Sequence, residues 1–96
     1  MANRFDPGRI VATPGALALV CRDALRAYVT RHVQGDWGAL AQEDRTTQDT
    51  ALARGVGPKD EARFMSVWHW GQAALWIMTD GSVPDRITTI LLAEEH

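Results

Sequence analysis

A chain of 96 residues is the size of one domain with a modest core, and 46% hydrophobic with 23% charged residues is ordinary for a soluble globular protein. One cysteine excludes an internal disulfide, and a net charge of −2 gives no support to nonspecific nucleic-acid binding, although a local basic patch stays open. The opening MANRFDPGR lacks the apolar stretch of a secretion signal, and no run approaches the roughly 18 apolar residues of a membrane span. The expectation is a single domain over residues 1–96, in the bacterial cytoplasm, without membrane contact.

In chain order, Ile10 and Val11 are β-branched and suit a short strand. Thr13-Pro14 reads as a helix start, with threonine as cap and proline in the first turn. From Pro14 to about Val33 the spacing predicts one helix, with an apolar stripe of Leu17, Val20, Cys21, Ala24, Leu25, Tyr28, Val29 and His32. Cys21 on that stripe reads as an inert core thiol, with a reactive thiol as the other reading. Gly35 stands at the C-cap position. Asp36 can cap a second helical segment, WGALAQED, and Asp44 a third, RTTQDTALAR, ended by Gly55; the two are alternatively one bent helix. GVGPKDE is a loop.

After Glu61 the pattern changes to RFMSVWHW, ALWIMT and RITTILL, all rich in strand formers. GQ separates the first two and DGSVPD the last two, which reads as an antiparallel meander. The expected fold is α+β: a short N-terminal strand and two or three helices packed on a C-terminal antiparallel three-stranded meander.

The candidate chemistry starts at HVQGDW. His32 closes the apolar stripe at the helix–sheet boundary. It reads either as a boundary histidine bonded to a carbonyl or as a general acid or base. Asp36 reads as a helix cap. Trp37 reads as a packing anchor, with a stacking platform for a base as the other reading. The three histidines, His32, His69 and His96, have no metal-ligand spacing, and no phosphate-cradling loop occurs, so neither metal nor cofactor is expected.

On the strands, period two places Arg86, Thr88 and Ile90 on one face. Arg63, Met65, Val67 and His69 alternate with Phe64, Ser66, Trp68 and Trp70. Two arginines with threonine and serine hydroxyls could hold an anion; the plain reading is strand-forming threonine and solvated arginine. Four tryptophans exceed what one small core requires. Alternation cannot bury Trp68 and Trp70 together with Met65 and Val67 unless both sheet faces are covered, so Trp68 and Trp70 are candidates for a partner-binding surface.

GRIVATPGAL, RHVQGDWGAL and LWIMTD…DRITTILLAEEH together resemble a family of small bacterial proteins carried on plasmids and integrative elements, labelled plasmid-related proteins and in some copies type I restriction subunit M. The resemblance covers nearly the whole chain. It implies a mobile-element accessory protein and no particular activity. The chain departs from the family pattern at Gln48, Trp68, Ala93 and His96, and its GSVP lengthens one turn.

Two functional readings follow. The first is an interaction protein that binds an unidentified host or element protein; a counter-defence role, against restriction or CRISPR machinery, fits it by genomic association. The second is a metal-independent ribonuclease toxin with the helices-then-sheet layout of barnase, EndoU, colicin and RelE-like enzymes. There His32 would be the acid or base, Arg63 and Arg86 would stabilise the phosphate of an RNA substrate, and Thr88 or Ser66 would orient it. A DNA-binding regulator lacks a basic recognition helix, since Arg45 and Arg54 in RTTQDTALAR are set against Asp49. Convergence of His32, Arg63, Arg86 and Thr88 on one cleft distinguishes the two.

Overall fold

The computed structural model describes residues 3–96, so residues 1 and 2 of the expected domain lie outside it. The elements are β1 (Arg9–Ala12), α1 (Pro14–Leu19), α2 (Arg22–Val33), α3 (Gln42–Ala53), β2 (Ala62–Trp70), β3 (Ala73–Gly81), β4 (Ile87–Leu92) and a closing 3-10 turn (Ala93–Glu95). The architecture is α+β. The sheet has four strands in the order β1-β4-β3-β2, and it is mixed. β2, β3 and β4 form the antiparallel meander, with Ser66 opposite Ile77 and Thr79 opposite Thr88. The short N-terminal strand extends it, pairing parallel to β4 with Ile10 opposite Thr88. That corrects the expectation of a three-stranded sheet. A parallel pair needs a long crossover, and here the three helices, β2 and β3 all lie between β1 and β4, so no local turn signal marks the pairing.

The single helix expected over 14–33 is two helices. Val20 and Cys21 both take extended conformations, with ψ of 132° and 151°. No glycine or proline marks this break. α1 starts as expected: the Thr13 hydroxyl accepts from the Ala16 N–H at 3.2 Å, with Pro14 in the first turn. The break rotates the two helices relative to one stripe. Ala16, Val20 and Leu25 enter the core, Tyr28 and Val29 pack against it, and Leu17 is left 50% exposed with Cys21 also at the surface. Leu17 and Cys21 are thereby corrected from core to surface.

α2 ends where Gly35 was expected to end it. Gly35 has φ +87°, and its N–H donates to the His32 carbonyl at 3.0 Å. The next stretch is not helical. The Asp36 carboxylate accepts from the Gly38 N–H at 3.0 Å, and a tight turn over 37–40, with Gly38 at φ +62°, lays the chain beside β2. There the Ala39 N–H donates to Val67 and the Val67 N–H donates to Trp37. A Cβ at Gly38 would collide with the Val67 carbonyl, so this approach needs glycine. α3 begins only at Gln42, with Glu43 and Asp44 in its first turn, where the helix dipole favours negative charge.

All three helices bury apolar residues against one face of the sheet, the inner face, in two clusters. One gathers Ala16, Val20, Leu25, Trp68, Ile77 and Ile90, among others. The other gathers Phe5, Val33, Trp37, Leu52, Ala62 and Phe64. Ser66 stands between Phe64 and Trp68 on β2, at the seam between them.

Candidate functional site

The seam is polar and sealed. His32, in the last turn of α2, is 0% exposed. Its Nδ1 lies 2.7 Å from Ser66 Oγ and its Nε2 lies 2.9 Å from Thr79 Oγ1. Thr79 and Thr88 share a hydroxyl–hydroxyl bond of 2.7 Å, and Thr88 donates to the Pro7 carbonyl at 2.7 Å. At the other end, the Trp68 indole N–H donates to Ser66 Oγ at 2.8 Å.

The two ends fix every proton between them. An indole N–H can only donate and a carbonyl can only accept. Thr88 spends its one proton on Pro7, so Thr79 donates to Thr88. Thr79 then has only its lone pairs for His32, so Nε2 carries the ring proton and donates. Nδ1 is unprotonated and accepts from Ser66, whose oxygen accepts from Trp68. The chain runs in one direction from Trp68 to Pro7 with every group paired, and the histidine in it is neutral. Burial lowers the His32 pKa from 6.5 to about 4 for the same reason: a charged ring would have no water and no carboxylate beside it. A second ring proton would also leave the Ser66 hydroxyl proton without an acceptor.

Trp37 closes the seam. Its ring stands edge-on to His32 at 5.6 Å, stacks on Phe64 at 5.3 Å, and donates from Nε1 to Asp49 at 2.8 Å. It is a packing anchor. Asp36 starts a turn rather than capping a helix, and it pairs with Arg31 at 3.0 Å across a largely exposed gap.

The remaining ribonuclease candidates are not brought together in a cleft. Thr88 reaches His32 only through Thr79. Arg63 is exposed on the other face of the sheet, opposite Asp80 in register. Arg86 shares the inner face with Thr88 but is 1% exposed, and its guanidinium is consumed by backbone carbonyls: Gly81 at 2.9 Å, Asp6 at 3.0 Å, Gly57 at 3.0 Å and Asp60 at 2.7 Å. It clamps the N-terminal segment, the 57–60 loop and the end of β3 together. Four of its five N–H groups are spent in this way, and at 1% exposure it offers no open face to a phosphate.

The tryptophans also differ from expectation. Trp68 is 6% exposed and stacks on Tyr28 at 5.0 Å, while Trp70 is half-buried against the same cluster. Both face the helices rather than the open face of the sheet. The outer face carries Met65 and Val67 from β2, Trp76 and Met78 from β3, and Ile87 and Thr89 from β4, all half-buried. His96 rests against Trp76 at 5.0 Å. Thr79 and Trp76 are the residues that sequence reasoning missed. Period two along ALWIMT was the available signal: it sets Leu75, Ile77 and Thr79 against Trp76 and Met78.

Gln48 has a visible role. Its carboxamide donates to the Met65 carbonyl at 2.9 Å and accepts from the Met65 N–H at 2.8 Å, closing the free edge of β2. Ala93 lies in the closing turn. Glu95 in that turn accepts from the Thr13 hydroxyl at 2.7 Å, a bond that holds its carboxyl below the ordinary range.

Among the described residues, no cluster of His, Cys, Asp and Glu side chains could hold a metal ion, and no helix is long and apolar enough to cross a membrane. No family model, curated protein or solved structure matches this chain.

Proposed function

We propose that this chain is an accessory protein of a mobile element that acts by binding another protein on the outer face of its sheet. The observation that carries this reading is the apolar row of Met65, Val67, Trp76, Met78 and Ile87, half-buried on a face opposite the helices. Strand spacing and rise make this face roughly 15 Å wide and 20 Å long. The largest apolar patch of an ordinary monomer, roughly 300–600 Å², is about this size and is often functional. Arg63 and Asp80 flank it with opposite charges, which suits a protein surface carrying both signs rather than a nucleic acid. The polar groups suited to acid–base work point the other way, into a sealed seam. A counter-defence setting, against restriction or CRISPR machinery, is the biological role this reading fits.

The test replaces Met78 with a photo-crosslinking amino acid in the native host, with Thr47 on the exposed side of α3 as the control position. One discrete adduct from position 78, absent at 47 and lost when Met65→Asp is added, supports the reading. Equal labelling at both positions contradicts it, as does RNA cleavage by the purified protein that disappears in His32→Ala.

A further inference from the structure

The two edges of the sheet are finished in opposite ways. At β2 the outward backbone groups of Met65 are bonded by Gln48, and those of Val67 by residues 37–39. An edge sealed in this way cannot recruit another strand. At β1 the Arg9 and Thr13 N–H groups donate inward to Arg86 and Ile90, at 3.1 Å and 2.9 Å. Strand alternation therefore turns the N–H and C=O of Ile10 and Ala12 outward. Neither N–H has a backbone acceptor among the described residues.

Beside this open edge lies an apolar groove of about 330 Å³ between β1 and α2, lined by Ile10, Leu25, Arg26, Val29, Thr30 and Ile90. Ile10 is 48% exposed at its rim. Arg26 is the one charged residue lining it and has no ion-pair partner among the described residues.

We infer that the β1 edge is a strand-addition site for an extended segment of another protein, with aliphatic side chains at alternate positions and a carboxylate for Arg26. Ile10 and Ala12 offer two donors and two acceptors in the register of an added strand, and such bonds supply affinity while the groove supplies selectivity. Alternation puts every second side chain of the added strand over Val29 and Leu25. A second copy of this chain is the poorer occupant, because it would bring Arg9 from its own β1, and no acid from that strand, to a rim that already carries Arg26. This site lies on the helix side of the sheet, so its failure leaves the outer-face reading untouched.

The test is selection from a phage-displayed library of random dodecapeptides on the purified protein, followed by amide shift mapping with the most enriched peptide. Enriched sequences should alternate aliphatic residues and carry an acid, and shifts should cluster at residues 9–13 and 25–30. Arg26→Glu should weaken binding about fivefold or more. Ile10→Pro removes one outward N–H and leaves the bonds to β4 intact, and should abolish binding. Arg26→Glu lies on an exposed helix position and keeps the test decisive if Ile10→Pro folds poorly. Enriched peptides indifferent to both substitutions, or no enrichment, would overturn the inference. So would a dimer of the wild type that Ile10→Pro converts to monomer, which would assign the edge to self-pairing.

Discussion

The inner and outer faces of the sheet use the same strands for opposite ends. On the inner face a histidine, three hydroxyls, an indole N–H and an arginine are buried, and each finds a partner. On the outer face, methionines, a tryptophan and branched aliphatics stay half-exposed. Residue type alone would suggest the reverse, with the polar groups as the working site and the apolar ones as core. What separates them is satisfaction: a buried polar group with all its bonds made is structure, and an apolar surface left open is unfinished until something covers it.

The largest effect that could break this contrast is at Arg86. Arg86→Met should strip the guanidinium donors from four part-buried carbonyls, of which Gly57 keeps the Asp60 N–H, and release three segments from one another, at a cost of about 4 kcal/mol or more. Set against a total stability of about 5–15 kcal/mol, urea denaturation should show a protein barely folded at 25 °C. An unaffected midpoint would mean that the guanidinium is free for a ligand.

His32→Ala comes next. It opens a cavity, leaves the Ser66 hydroxyl proton without an acceptor and takes from Thr79 its donor, which should cost about 3 kcal/mol in the same assay. A stabilised variant would point to a strained catalytic group instead.

Acid should act through the same residue. The folded protein holds His32 neutral down to about 4, whereas an unfolded chain takes up the proton near 6.5. The contribution is therefore fully present above 6.5 and is lost as pH falls from 6.5 towards 4. It amounts to about 3 kcal/mol. Replacing His32 with Gln should flatten that part of the stability profile; an equally steep profile in the variant would assign the loss to carboxylates.

The smallest stability effect is expected on the outer face. Met78→Asp should lower the unfolding free energy by no more than about 1 kcal/mol, as for other substitutions outside the core, yet remove the crosslinked partner. Coupled loss of fold and partner would sharpen the contrast in the wrong direction, by showing that Met78 supports the structure.

Much of this arrangement was legible in the residues. The three C-terminal strands, the GQ turn, the Thr13 cap and the Gly35 stop are local signals, and the helical stripe carried His32 to the boundary where the structure has it. The parallel pairing of β1 was hidden because its partner is more than 70 positions away. The break at Val20–Cys21 has no breaker residue, and the turn at 37–40 looks helical until β2 is placed beside it. Arg86 reads as a solvated strand-end residue, since nothing near it announces that two distant segments, at Asp6 and at 57–60, will turn their carbonyls toward it. Of the site, Ser66 and Thr88 were marked by period two, while Thr79, the link that joins His32 to Thr88, required the register between β3 and β4.

The most direct test of the sealed seam is a long-range proton–nitrogen correlation spectrum of His32 recorded from pH 7 to 4. The ring should be neutral with the proton on Nε2 and should show no titration near 6.5. An imidazolium forming with a midpoint near 6.5, or a proton on Nδ1, would contradict the one-way chain from Trp68 to Pro7 and reopen His32 as a group in contact with solvent.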